Sequence, residues 1–178
     1  SYIDLTEFID DNSPTEGWEP IGSVQSPFMG NLDGDGHTIS GIIIDRKADC
    51  VGFFSCVKNA NISNLKLEGS TIKGNSYVGA FISAADNSVI NGVSASFYNV
   101  DGQNFTAGLI GSAQDGCHIT SAQYAGAVNV TGDYVGGLVS WVYDNVSISK
   151  STVKATSIIG KGDYVGGLVG SSLYSNYS

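Results

Sequence analysis

Arginine is almost missing from this chain. Only eight of the 178 residues are Lys or Arg, against 17 Asp or Glu, and Arg46 is the sole arginine. The formal net charge is −9. A nucleic-acid-binding surface needs a cationic footprint, and none is visible here. An anionic membrane surface would repel such a chain for the same reason. Long hydrophobic runs are also missing: no segment reaches the roughly 18 apolar residues that a membrane-spanning helix needs, so no membrane insertion is expected. Helical periodicity is absent, which excludes helical repeats.

Cysteine is scarce and odd in number: Cys50, Cys56 and Cys117. Cys50 and Cys56 flank one predicted strand. At about 3.3 Å per residue they stand roughly 20 Å apart, too far for a disulfide. Cys117 falls in a different phase of the sequence. The three are read as buried free thiols acting as small apolar residues, with neither a disulfide framework nor a zinc ligand set. The two histidines, His37 and His118, also fall in different phases and suggest no shared site.

What is abundant is one short apolar phrase in five copies. It reads Cys50-Val51-Gly52-Phe53-Phe54-Ser55, Val78-Gly79-Ala80-Phe81-Ile82-Ser83, Thr106-Ala107-Gly108-Leu109-Ile110-Gly111, Val135-Gly136-Gly137-Leu138-Val139-Ser140 and Val165-Gly166-Gly167-Leu168-Val169-Gly170. Successive starts lie 28, 28, 29 and 30 residues apart. Strand-like units at such a period imply a stack in which no repeat buries its apolar face alone.

Each repeat carries three strand signals. The phrase is the first. The second is Ile-x-x-apolar-x-apolar, as in Ile62/Leu65/Leu67, Ile90/Val93/Ala95 and Ile119/Ala122/Tyr124, with an earlier copy at Ile39/Ile42/Ile44. The third is short: Thr71–Lys73, Tyr98–Val100, Val128–Val130 and Ser157–Ile159. An aromatic then precedes the next phrase, at Tyr77, Phe105, Tyr134 and Tyr164. In register, these four rings would stack about 4.8 Å apart.

The pattern predicts an all-β, right-handed parallel β-helix of about five to six coils of roughly 28 residues. Residues 1–178 form a single domain, with 1–49 as a lead-in coil and 50–178 as the repeats. Trp18-Glu19-Pro20-Ile21-Gly22 stands in the place of the lead-in coil's first strand. Tyr2-Ile3-Asp4-Leu5 reads as an opening strand, and Ser171–Ser178 stops before a repeat could finish. A fragment of a longer protein is therefore expected, with flanking domains of the same polypeptide as neighbours.

The repeats resemble the GLUG motif, named for a Gly-Leu-x-Gly core like Gly167-Leu168-Val169-Gly170. The lead-in, with Trp18, Pro20 and Phe28 through Gly41, is similar to the segment that often precedes such repeats. Ser55, Ser83 and Ser140 depart from the motif by replacing its last Gly. The resemblance implies a bacterial or archaeal surface or secreted protein, adhesin-like, with no catalytic residue attached to the motif. It implies an extracellular location.

Three sets of residues are candidates for sites. Asp33-Gly34-Asp35-Gly36-His37 is a turn sequence that lacks the spacing and terminal Glu of an EF-hand calcium loop. Asp133 and Asp163 would stack about 5 Å apart, where like charges repel unless solvated or bridged by a cation; a weak calcium site is the candidate there. The column Tyr77, Phe105, Tyr134 and Tyr164 is either packing or, if exposed, a platform for a glycan. The functional expectation is a non-enzymatic stalk or adhesive module contacting a host glycan or surface protein. The alternatives are a polysaccharide-active β-helix enzyme, since paired carboxylates serve glycosidases, and a self-assembling filament subunit.

Overall fold

The computed structural model describes residues 16–174, together with the backbone of 2–4 and 176–177. Leu5, the end of the expected opening strand, lies outside the described residues. Tyr2–Asp4 pairs in parallel with Thr38–Ser40. No helix occurs among the described residues. Parallel strands stack about 29 residues apart, forming a β-solenoid of about five turns.

Each coil passes through four sheets. The first holds Ser76–Gly79, Asn104–Ala107, Val135–Gly136 and Val165–Gly166. The second holds Phe54–Lys58, Ile82–Asp86, Ile110–Gln114, Val139–Tyr143 and Val169–Leu173. The third contains Asn61–Ser63, Val89–Asn91, His118–Thr120 and Ser147–Ser149, flanked by Asn31–Asp33 and Asn176–Tyr177. The fourth is the longest, with Thr38–Asp45, Lys66–Lys73, Ser94–Gly102, Gln123–Val130 and Thr152–Gly160 beside Tyr2–Asp4.

The division into strands differs from the sequence expectation. The apolar phrase is not one strand: it bends between Gly136 and Val139, so Val135 lies in the first sheet and Val139 in the second. The Ile-x-x-apolar pattern is likewise broken, with Ile62 in the third sheet and Leu67 in the fourth. The expected third strand, Thr71–Lys73, is only the end of Lys66–Lys73. Apolar residues on either side of these bends both face the core, so a convex corner reads in sequence like one continuous apolar strand.

The corners share a backbone conformation. Cys50, Tyr77, Phe105, Tyr134 and Tyr164 have φ between 47° and 63°. Asn59, Asn87, Asp115 and Asp144 turn the chain after the second sheet with φ between 42° and 55°. Asn64, Gly92, Ser121 and Lys150 do so before the fourth. Asn and Asp tolerate the left-handed region through local hydrogen bonds. Aromatics gain no such relief, so stacking must hold them there.

Repeat positions face their own equivalents in the core. Ile62, Ile90, Ile119 and Ile148 form one buried column. Another runs Phe54, Ile82, Ile110 and Val139. Where one coil carries a large group, its neighbour carries a small one: Phe97 lies in register with Gly69 on one side and Gly126 on the other. Tyr124 is buried against Gly108, and its hydroxyl donates to the Ala127 carbonyl at 2.8 Å. Burial raises its pKa.

The segment before the first phrase packs against the second sheet. Ile21 and Phe28 bridge to Phe54 and Val57, and Trp18 stacks on Phe53 at 4.8 Å. The single arginine ties this end together. Arg46 pairs with Glu16 at 3.1 Å and Glu19 at 2.7 Å, and its Nε donates to the Trp18 carbonyl.

At the other end, Val165 and Leu168 are 47% and 38% exposed, whereas Val135 and Leu138 one coil earlier are fully buried. A covering coil makes that difference. A Cβ on Gly137 would collide with the Gly167 carbonyl oxygen and sit 2.8 Å from Val153 Cγ1, while one on Gly167 meets nothing within 4 Å. Gly137→Ala is expected to cost about 2 kcal/mol through overpacking and Gly167→Ala less than ~0.5 kcal/mol. Urea unfolding of the two variants compares them; equal losses would contradict the covering-coil account.

Candidate groove and aromatic ladder

The most developed surface feature runs along the corner between the first and second sheets. The rings of Tyr77 and Phe105 stack at 4.7 Å and 3°, Phe105 and Tyr134 at 4.4 Å and 7°, and Tyr134 and Tyr164 at 4.6 Å and 6°. The four expected stacking partners therefore form one ladder. Ring faces that lie against each other are closed to a ligand, so Phe105 and Tyr134 present edges. Tyr164 ends the ladder and is 54% exposed.

Tyr77, at one end of the ladder, walls a groove whose floor is the outer face of the second sheet. The groove encloses about 350 Å³ and is lined by Cys50, Cys56, Tyr77, Ala84, Ser112 and Trp141, among others. Trp141 meets Phe105 edge-on at 6.1 Å, and Tyr143 lies 5.6 Å from Trp141. Opposite the ladder, Lys58 pairs with Asp86 at 2.8 Å, and that carboxylate raises the lysine pKa. Sequence reasoning missed Trp141, Tyr143 and the Lys58–Asp86 pair, because it treated the phrase and the residues after it as one strand.

The two thiols are the clearest correction. Cys50 and Cys56 are not roughly 20 Å apart; the bend at Gly52–Phe53 brings both to line the same groove, where each perturbs the other's titration. The phrase is also one residue shorter here. Val51 bridges Val78 and Phe54 pairs with Ile82, so Cys50 lies level with Tyr77, on the first rung of the ladder. Aligning the phrase on its Val-Gly step would have revealed this. The neighbouring Cys56 thiol pulls the Cys50 thiol down to about 6, and Cys50 in turn pushes Cys56 up; the Ser83 hydroxyl donates to the Tyr77 carbonyl at 2.7 Å. Cys117 is a separate buried thiol, raised by burial to about 11.

The carboxylates have local partners. Asp133 Oδ1 accepts the Asp163 backbone N–H at 2.7 Å, Asn104 Oδ1 accepts that of Asp133 at 2.9 Å, and Asp49 Oδ1 that of Ser76 at 3.1 Å. Asp133 thus clamps the next coil's turn. Asp33 accepts the Asp35 N–H and the Asn64 amide, both at 3.0 Å, and its pKa is lowered accordingly. His37 bonds the Gly34 carbonyl, while His118 bonds Ser147 on the third sheet. The two histidines do not share a site. Among the described residues, no three His, Cys, Asp or Glu side chains converge as a metal cage.

The chain is 37% identical over 114 residues to Halomucin of Haloquadratum walsbyi, a match covering 61% of this chain and 1% of that protein. It is 39% identical over 72 residues to a protein of Evansella cellulosilytica named as a Gly-rich membrane protein, covering 39% of this chain and 8% of the other. The chain therefore spans only a small part of the relatives it matches. No family model matches, and no solved structure gives a significant match.

The ladder geometry generates a test. Phe105→Ala removes stacking on both sides but keeps a Cβ at φ 47°; Phe105→Gly removes the stacking and the left-handed penalty together. The Ala variant is expected to lose about 2–3 kcal/mol, and the Gly variant about 1 kcal/mol less than that. Chemical denaturation ranks them, and a Gly variant less stable than the Ala variant would refute the strain-against-stacking account.

Proposed function

We propose that this chain is a non-enzymatic structural module of a cell-surface or secreted protein. It acts as a short stiff rod that spaces other parts of that polypeptide and offers one lateral groove to a glycan or a protein. The observation that carries this reading is the parallel pairing of every coil with the next in all four sheets, interrupted in the longest sheet only by local bulges. Polar side chains add to it: Asn61 donates to Asn31 and Asn87 to Asn59, both at 2.7 Å, each one coil apart. Ladders of this kind resist bending because every coil is bonded to its neighbours along its perimeter.

The two relatives support the reading through their names, one a mucin-like name and one a membrane protein. The GLUG resemblance points the same way, toward the cell envelope or beyond. Within the groove, Trp141, Tyr77 and Ala84 supply apolar contact, and Tyr143 stacks beside Trp141. Lys58, Asp86 and Gln114 supply hydrogen bonds, a mixture suited to a neutral sugar or a peptide.

A binding array of glycans and surface proteins, run with and without calcium, tests the contact role. A specific signal is expected, reduced at least tenfold in the Trp141→Ala/Tyr143→Ala variant. Turnover of pectin, alginate or hyaluronan by the same chain would replace this reading with the polysaccharide-active one.

A further inference from the structure

We infer that Cys50 and Cys56 are a dithiol site that closes to an intramolecular disulfide when the protein meets a small-molecule disulfide. The inference begins with place. Both side chains line one groove, which gives a small oxidant access. Cys50 is only partly buried and Cys56 lies on the groove floor. The bend at Gly52–Phe53 folds the chain back so that both thiols face the same groove beside each other, although six positions separate them in sequence. Ser55 and Ser83 hydroxyls adjoin the pair, Ser55 Oγ lying 3.8 Å from Cys56 Sγ.

The surrounding repeats show what is special about this rung. The equivalent of Cys50 is Tyr77, Phe105, Tyr134 or Tyr164 in the other coils, and the equivalents of Cys56 are Ala84, Ser112, Trp141 and Ser171. Cysteine occupies both positions in one coil and neither in any other. In that coil the first-sheet strand is reduced to the single Val51–Val78 bridge, and the corner is one residue short. A covalent link from Cys50 to Cys56 would tie the two sides of this shortened corner together.

The chemistry balances through thiol–disulfide exchange. The Cys50 thiolate attacks one sulfur of an oxidised small-molecule disulfide, forming a mixed disulfide and releasing one small thiolate. Cys56 Sγ then attacks Cys50 Sγ and expels the second, while its proton passes to a leaving thiolate. The protein loses two electrons and two protons, and the oxidant is reduced to two thiols. The partly exposed Cys50, beside Cys56 in the groove, suits the attacking role. Cys117, fully buried and accepting the Ser88 N–H at 3.5 Å, has neither access nor a partner thiol.

The test is oxidation of the whole chain with oxidised glutathione at neutral pH. Lys47 and Lys58 bracket both cysteines, so the tryptic peptide 48–58 carries the pair. That peptide is expected to lose two hydrogens in mass and to resist alkylation until reduced. Cleavage after Phe53 or Phe54 should then leave its halves linked. Cys56→Ser should stop at a stable glutathione adduct on Cys50, Cys50→Ser should give no linked product, and Cys117→Ser should behave as wild type. In the reduced protein, Cys50 should alkylate at least tenfold faster than Cys117. A wild-type chain that halts at the mixed disulfide, or that links Cys117 instead, would overturn the inference. Neither result bears on the groove's ligand, which the binding array reads separately.

Discussion

Everything in this molecule depends on equivalent residues of successive coils lying directly against one another. Parallel pairing fixes the spacing between coils, and each column then reinforces itself. Isoleucine packs on isoleucine in the third sheet, and asparagine donates to asparagine at the turns. Aromatic rings stack along the corner. The same register aligns unlike charges on the fourth sheet, where Asp45, Lys73 and Asp101 follow one another. A side chain is stabilised here mainly by its counterpart about 29 residues away. This is why Val135 is buried and Val165, with no described coil over it, is not.

The corners are where that economy becomes strained. A solenoid coil must turn sharply between sheets, and this chain does so with left-handed residues. At two corners Asn, Asp, Gly and Ser carry most of the burden with little cost. At the third, three of the four aromatic rungs are tyrosine and one phenylalanine, and ring contact offsets their backbone cost, on both sides at Phe105 and Tyr134 and on one side at Tyr77 and Tyr164. Cys50 occupies the same backbone state without a ring. Its neighbour in space is another thiol, so the one coil lacking an aromatic at this corner has acquired a different chemistry. The groove beside it is walled by Tyr77, at one end of the ladder, above the second sheet; Trp141 lines it, and Tyr143 stacks beside Trp141.

The polar groups tell a similar story. Asp133 and Asp163 recur at the spacing that invites a cation, yet Asp133 Oδ1 holds the next coil's N–H. Asn104 and Asp49 do the same for their neighbours. A stack of turns generates orphan backbone donors once per coil, and a short side-chain acceptor in that column satisfies them. Among the described residues, no buried side-chain nitrogen or oxygen lacks a partner.

Period alone determined the architecture. Five copies of one phrase at 28 to 30 residues, with an aromatic before each later copy, require stacked parallel strands and an aromatic column. Residue identity in a column is visible without knowing any coordinate. Where each coil bends was not visible. Gly136-Gly137-Leu138 reads as a continuous apolar strand because inward-facing residues on both sides of a convex corner are apolar. The left-handed Tyr134 lies before the first-sheet strand, and the bend after that strand contains no positive-φ residue to mark it. That corner decided which residues meet. It brought Cys50 to Cys56 and raised Trp141 beside Phe105. Those contacts join residues of different columns, and a repeat period specifies neighbours only within a column.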